Sequence, residues 1–339
     1  MDRAVTHRAD TVVIGGSAGS LSALRILLSK LSADLPASVL VCQHVPGRGS
    51  LRAVDLLRKY STLSVVAAED GMEIVQGQVI FAPPDVHMMI GHEHVHLRRG
   101  AHENNFRPAI DPLFRSAAVY RGTRAIGVIL SGLMDDGSAG ARAMHRTGGR
   151  VLVQSPETAD FPDMPSAALD AVPEAEAIAI EDLAAEINSI ADTPVVSPAP
   201  VPWDIGVELK ISGLEGASME NENRLCQLSP YNCPHCNGVL WQIEDGPLTR
   251  FRCHTGHAYT INSLNEMQER ALDESLFSTL RAHRGRAALI REMAKKTSGS
   301  ESRRRLEERA KLYDEDTKRL EEIIQNRKPI LSLHDAPDW

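Results

Sequence analysis

At 339 residues the chain is long enough for one sizeable α/β core and a smaller appendage, on the usual scale of roughly 100 to 200 residues per domain. A formal net charge of -8 argues against a chain-wide electrostatic footprint for nucleic acid. No apolar run approaches the roughly 20 residues of a membrane span, and MDRAVTHRAD lacks the apolar stretch of a signal peptide, so a cytoplasmic protein with no membrane insertion and no nucleic-acid partner is expected.

From about residue 11 to residue 190 the sequence alternates strand-like and helix-like segments: TVVIGG then SLSALRILLSKL, ASVLVCQ then RGSLRAVDLLRKY, RAIGVILSG then SAGARAMHRTGG, RVLVQS then PSAALDAV, AEAIAI then DLAAEINSIA. Repeated βα units with β-branched runs predict a doubly wound, mostly parallel α/β sheet. Between the second and third units, two short strand-like runs with a turn at Gly91-His92 predict an inserted hairpin. Among its His87, His92, His94 and His96, the last three alternate along the chain, which puts them on one face. Without an acidic or cysteine companion they read as packing or hydrogen-bonding groups rather than metal ligands.

Residues 191–228 are rich in Pro, Ser, Gly, Asn and Glu and read as a linker, with VELKIS as a short strand. A cysteine module follows at 229–262. Beyond it, 263–327 carries spaced apolar residues, among them Leu272, Leu276, Leu280, Ala287, Ile290, Leu306, Leu312, Leu320 and Ile323. Two amphipathic helices broken near Thr297-Ser300 are predicted, with solvated charged faces. The division expected is thus 8–190, 191–228, 229–262 and 263–327.

Three motifs end three of the strand-like runs: Gly15-Gly16-Ser17-Ala18-Gly19, Gln43-His44 and Asp135-Asp136-Gly137. The ligand crevice of an open parallel sheet lies at the carboxyl ends of its strands, so one place would receive a serine, an imidazole and a carboxylate. The strand before Ser17 and the helix after it suit a nucleophile elbow. The helix start would supply free amides to an oxyanion. The bland alternative is a phosphate-binding turn with Ser17 as a helix cap, but neither a G-x-G-x-x-G spacing nor a Walker lysine is present. His44 reads as a general base or as a surface imidazole. Asp135 and Asp136 read as an orienting carboxylate or as helix caps, and spacing leaves the choice between them open. The order Ser, His, Asp differs from the Ser, Asp, His order of α/β-hydrolases, which implies another scaffold.

Cys233-Pro-His-Cys236 and Cys253-His-Thr-Gly-His257 are separated by a hairpin's worth of chain containing Gly246-Pro247. Cys233, Cys236, Cys253 and His257 then supply three thiolates and an imidazole to a structural zinc in a closed ribbon, iron being the competing metal. His235 and His254 are substitutes for His257, and Cys226 is a spare thiol. A redox C-x-x-C needs a thioredoxin-like context that the segment lacks.

The segments GGSAGSLSAL, VCQHVPGRGS, EDGMEIVQGQVIFAPPDVHM, NNFRPAIDPLFRSAA, GVILSGLMDDGSAGARAM and DFPDMPSAAL together resemble, in order and spacing, the catalytic domain of CheB-type protein-glutamate methylesterases over about residues 11 to 190. The resemblance implies a serine esterase acting on glutamate γ-methyl esters of a methylated receptor, with glutamine deamidation as a companion activity in some members. It implies Ser17 as nucleophile, His44 as base, Asp136 as orienting carboxylate and the amides of Ala18 and Leu133 as the oxyanion hole. No catalytic cofactor is implied. Ser20 and Leu133-Met134 depart from the family pattern and are expected to narrow the pocket or to change the ester accepted. Members that serve chemotaxis begin with a receiver domain, whereas ten residues precede the first strand here, so regulation other than by aspartyl phosphate within the chain is expected. The ribbon and helices resemble an extension of some stand-alone relatives, a similarity that identifies no partner; docking on the esterase domain, dimerisation and binding of a protein partner are the roles open to the helices. A non-catalytic signalling adaptor on the same fold, or an esterase of another substrate, is the alternative reading.

Overall fold

The computed structural model describes residues 7–44, 49–195, 200–214 and 227–327, so Cys226 lies outside the described residues. Two compact units result, Met1–Leu264 and Asn265–Trp339.

The first unit is built on strands β1 (His7–Arg8), β2 (Thr11–Gly16), β3 (Ser38–Gln43), β4 (Ser64–Ala67), β5 (Gln78–Phe81), β6 (His87–Ile90), β7 (Val95–Arg98), β8 (Ala125–Ile129), β9 (Arg150–Gln154), β10 (Glu176–Ile178) and β11 (Pro194–Val195). Seven of them form a parallel sheet in the order β10-β9-β8-β2-β3-β5-β4. The β-branched runs follow from burial on both faces. Val12, Ile14, Val39 and Val41 enter one core with Leu24, Leu27 and Leu28 of α1 (Ser20–Lys30), Ala53, Val54 and Leu57 of α2 (Gly49–Leu57) and residues of a helix at Ile180–Asp192. Val13, Leu40 and Cys42 enter the other, with α3 (Ile110–Tyr120), α4 (Ser138–Arg146) and α5 (Asp163–Ala171). The chain moves from β2 to β3 on one side and later to β8 on the other. The crevice at this reversal of strand order opens where β2, β3 and β8 end.

The hairpin is present as β6–β7, whereas the strand-like run before it, β5, joins the main sheet. VELKIS is helical, contrary to the strand expected: it lies in the helix Trp203–Ser212. Its buried residues Ile205, Glu208 and Ser212 share one helical face, and two of the three are polar. Apolar alternation therefore did not mark the packed side.

The cysteine segment forms an antiparallel sheet of β12 (Gln227–Asn232), β13 (Val239–Asp245), β14 (Leu248–Cys253) and β15 (Ala258–Thr260). The β13–β14 turn is Gly246-Pro247, with Gly246 at φ 60, a conformation open to glycine at the first corner of a two-residue hairpin loop.

This sheet packs against the first domain through buried charges. Arg250 makes two 2.8 Å hydrogen bonds to Glu208, and Arg252 lies 3.2 Å from Glu103 and 3.1 Å from Glu208. Arg115 of α3 sits 3.2 Å from Glu103. The Ser212 hydroxyl donates to Glu103 at 2.5 Å. Burial alone would raise the Glu103 carboxyl, but the Arg115 and Arg252 guanidiniums outweigh it and hold the group at about 2.

In the second unit, Asn265 to Lys296 continues the helix Ile261–Lys296, and a second helix spans Ser300–Asn326. Leu280, Ala287, Ile290 and Ala294 are buried at helical spacing together with Ala310. Leu272, Leu312 and Ile323, expected on the apolar stripe, are more than half exposed. Arg284–Glu321, Arg291–Asp314 and Arg327–Asp273 pair the two helices.

Candidate active site

Ser17 follows β2 in the turn that opens α1. Gly19, at φ 74, caps that helix, and Ser17 makes no side-chain cap bond to it, so the serine hydroxyl is left for the crevice. The turn is held from below. The Ser17 amide donates to the Ser131 carbonyl at 3.0 Å, and Gln43 Nε2 donates to the Ser17 carbonyl at 2.7 Å. Ser20 is fully buried, with its hydroxyl 2.5 Å from both the Ser17 carbonyl and Gln43 Oε1. It braces the turn from the interior, and its bulk is not at the surface of the crevice.

His44 follows β3. Its Nδ1 lies 3.3 Å from Ser17 Oγ and its Nε2 lies 2.9 Å from Asp136 Oδ2. A carboxylate only accepts, so the Nε2 proton points at Asp136 and the Nδ1 lone pair faces the serine. The ring is turned relative to the serine-protease arrangement, in which Nε2 faces the nucleophile, with the same division of roles. Phe106 stacks on the imidazole, with 3.7 Å between centroids and 11° between planes.

Asp136 and Asp135 have different surroundings. Asp136 Oδ2 accepts from His44 and, at 2.7 Å, from the Ile110 amide at the start of α3. Its Oδ1 accepts from Asn104 Nδ2 at 2.9 Å. The helix start favours the anion, and three donors fix the carboxylate, whose side chain is wholly buried. Asp135 faces Thr260 Oγ1 at 2.8 Å and Asn262 Nδ2 at 3.1 Å. Burial pushes its carboxyl up to about 6 against those two hydrogen bonds. Neither aspartate caps α4; Gly137 stands at the cap position without a side-chain bond. Asp111 Oδ1 accepts from the Gly140 amide at 2.7 Å instead.

Gly132 follows Ser131 at the end of β8. A Cβ built on it would stand 2.9 Å from Ser17 Cβ and 2.7 Å from Met164 Cε, so this loop passes directly beside the nucleophile. The amides of Ala18 and Leu133 have no intramolecular acceptor among the described residues, whereas the Gly132 amide is taken by the Phe161 carbonyl at 3.0 Å.

Asn104 and Phe106 are absent from the sequence-derived set. They sit in a tight turn in which Glu103 and Phe106 exchange backbone hydrogen bonds at 3.3 and 2.9 Å, with Asn104 at φ 50 and Asn105 at φ 73. Asn-Asn is a signature of such a turn, and that is the signal the sequence offers. Arg107, next in the chain, is engaged with Asp85 and with the Gly100 carbonyl. His87 is buried between the Ala101 carbonyl, 2.8 Å from Nε2, and the Ala109 amide, 3.2 Å from Nδ1. Burial lowers its pKa.

Cys233, Cys236, Cys253 and His257 bring their ligand atoms within 4.8 Å of one another. His235 is not in the cluster; its Nδ1 lies 2.7 Å from Tyr259 Oη. His254 stacks obliquely on Trp241.

The CheB methylesterase family model matches residues 12–187. A protein-glutamate methylesterase/protein-glutamine glutaminase 4 of Myxococcus xanthus (strain DK1622) is 36% identical over 183 residues, which are 54% of this chain and 52% of that protein. A protein-glutamate methylesterase/protein-glutamine glutaminase of Treponema pallidum (strain Nichols) is 32% identical over 181 residues, 52% of this chain and 45% of that one. The chain spans about half the length of the curated relatives it matches. The crystal structure of the Thermotoga maritima CheB methylesterase catalytic domain superposes with a TM-score of 0.52 at 29% identity, covering 54% of this chain and 99% of that one. The matched stretch takes in β2, β3 and β8 with the loops that carry Ser17, His44 and Asp136, and the chain belongs to the CheB methylesterase family.

Proposed function

We propose that the chain is a serine esterase that hydrolyses glutamate γ-methyl esters on a receptor-like protein, with glutamine deamidation at the same centre. The observation that carries the reading is the line from Ser17 Oγ through His44 to Asp136, at 3.3 and 2.9 Å, in the crevice of a methylesterase-family fold. Ser17 Oγ attacks the γ-carbonyl carbon while its proton passes to His44 Nδ1. The resulting imidazolium is stabilised by Asp136. The Ala18 and Leu133 amides receive the oxyanion. Collapse of the tetrahedral species breaks the bond to the methoxy oxygen, which takes the proton from His44 and leaves as methanol. Water then attacks the glutamyl ester of Ser17 with His44 again as base, and glutamate is released with the Ser17 hydroxyl restored.

The test is labelling of the purified chain with a serine-directed phosphonate, read by mass spectrometry, beside methanol release from a peptide carrying glutamate γ-methyl ester. Labelling at Ser17 that is lost in Ser17→Ala and His44→Ala, with parallel loss of methanol release, supports the reading. A folded chain that stays unlabelled with probes of several sizes and releases no methanol overturns it.

A further inference from the structure

The cysteine module is joined to the triad through one side chain. Asn104 Nδ2 has two protons and spends one on Asp136 Oδ1 and one on Asp111 Oδ2, both at 2.9 Å. Its Oδ1 accepts from the Thr260 amide at 3.1 Å and the Ser263 hydroxyl at 3.3 Å. All four hydrogen-bonding positions of the carboxamide are thereby used, and the side facing the carboxylates is set by the side facing residues 260 and 263. Thr260 also donates to Asp135. It opens the next helix in a reciprocal cap with Ser263, at 3.1 and 2.9 Å.

Those contacts hang on the cysteine cluster. β15 starts directly after His257, and its first residue pairs with the turn that carries Asn104: the Asn104 amide donates to the Ala258 carbonyl at 2.8 Å and the Ala258 amide to the His102 carbonyl at 3.3 Å. Rings of His102, His235 and His257 stack in series, each pair 13° from parallel. Within the cluster, Cys236 Sγ lies 3.7 Å from Cys253 Sγ, and Cys253 Sγ lies 3.5 Å from His257 Nδ1. A tetrahedral zinc with Zn–S bonds of about 2.3 Å needs S···S edges of about 3.8 Å, so the donor set and its edges fit that ion. Tyr259 Oη, 3.2 Å from Cys233 Sγ, supplies the kind of outer hydrogen bond that orients metal ligands.

We propose that Cys233, Cys236, Cys253 and His257 bind zinc, and that zinc loading holds Thr260 and Asn104 where they position Asp136, so that metal occupancy sets the rate of the esterase. The proposal rests on the esterase reading for its catalytic consequence. Its structural consequence stands apart: without the metal, β15 and the cap at Thr260 lose their anchor, Asn104 loses its two donors, and the His44–Asp136 hydrogen bond loosens. Asn104, Thr260 and Ser263 are positioning residues: Asn104 acts through Asp136, and the Thr260 amide and Ser263 hydroxyl act through Asn104.

The experiment uses the full chain, purified without metal resin, with metal measured by plasma mass spectrometry before and after chelator dialysis. Two readouts follow. The first is the low-field proton resonance of the His44 imidazole, which needs no substrate and is assigned with His44→Gln. The second is kcat and KM on the methyl-ester peptide as a function of pH. The result expected is one zinc per chain, retained less well by Cys236→Ser. Zinc removal should weaken the His44 resonance and lower kcat by about 10- to 100-fold with KM nearly unchanged, and added zinc should restore both. Ser263→Ala, which leaves the ligands in place and removes the side-chain donor to Asn104 Oδ1, should reproduce part of the kcat loss with zinc still bound. Asn104→Ala should make activity indifferent to zinc. A chain that binds no zinc, or that carries iron instead, overturns the assignment. A zinc-free folded chain with unchanged His44 resonance and unchanged kcat overturns the coupling and leaves the esterase reading standing. A His44 resonance that follows zinc in a chain with no Ser17 labelling supports the positioning and removes the esterase reading alone.

Discussion

The imidazole of His44 lies flat against the ring of Phe106, 3.7 Å away and 11° from parallel. The base is therefore fixed by a hydrogen bond at each nitrogen and by an aromatic face. Phe106→Ala removes the face and leaves the ring free to rotate away from Ser17 Oγ. A fall in kcat of about 10- to 100-fold is expected from the lost alignment, with KM little changed and partial recovery in Phe106→Leu. Steady-state kinetics on the methyl-ester peptide check it; equal kcat in Phe106→Ala and wild type would show that the two hydrogen bonds suffice.

Asp111 predicts a pH dependence. Burial, then the neighbouring Asp136 charge, push its carboxyl up from 3.8 to about 7. Between those two values the native chain keeps a proton that the unfolded chain has released, so this group's contribution to stability falls as pH rises through the window. Asp111→Ala removes the dependence, together with the acceptors for Asn104 and Gly140. The free-energy difference between wild type and Asp111→Ala should therefore shrink from pH 4 to pH 7, read from denaturant unfolding at several pH values. A difference that grows with pH would show that Asp111 is ionised throughout.

The Arg250–Glu208 pair predicts how firmly the cysteine sheet is seated. With two 2.8 Å hydrogen bonds in a buried site, removing Glu208 leaves Arg250 with Asp245 at 3.2 Å alone, and removing Arg250 leaves Glu208 with Arg252 at 3.1 Å and Arg115 at 3.7 Å, so either loss unbalances a buried charge network. Glu208→Ala and Arg250→Ala should each lower the melting temperature clearly, and the double variant should lose less than the sum. Additive losses would show that the two side chains stabilise the chain independently. Acid should act in the same direction through Glu103. Its carboxyl is held at about 2 instead of 4.5, so its stabilisation is complete above 4.5 and is lost as pH falls toward 2.

The residues that make the sheet are legible in sequence because both its faces are buried, and Val, Ile and Leu runs leave little else to be. β4, four residues with an exposed Ser64, gives too short a signal. The VELKIS half of the helix Trp203–Ser212 reads as a strand because the helix's inward side carries Glu208 and Ser212, and a buried polar face is invisible to apolar periodicity. At the site, the strand-end motifs point to Ser17, His44 and an aspartate, but not to which of Asp135 and Asp136 faces the imidazole. That choice is made by Ile110 and Asn104, contributed by a helix start and a turn elsewhere in the chain. Asn104 and Phe106 act from a loop, where neither period nor composition marks a role, and their partners Thr260 and His44 lie 156 and 62 positions away.

Gly132 offers the most direct probe of the crevice wall. Its neighbours are tied down: its amide donates to Phe161 at 3.0 Å, its carbonyl accepts from Met164 at 2.9 Å, and Ser131 holds the Ser17 amide. A methyl group at this position would meet Ser17 Cβ at 2.9 Å and the Met164 thioether end at 2.7 Å. Met164 has a flexible tip that can yield, whereas the Ser17 Cβ is fixed by the turn. Gly132→Ala should therefore displace Ser17 relative to His44 and to the Leu133 amide beside it. The expected outcome is a fall in phosphonate labelling rate and in kcat of about 100-fold with melting temperature nearly kept. Gly132→Ala combined with Met164→Ala, which opens space on one side only, should not recover it. Recovery in that double variant would place the clash on Met164 and show that the loop after β8 does not hold the nucleophile.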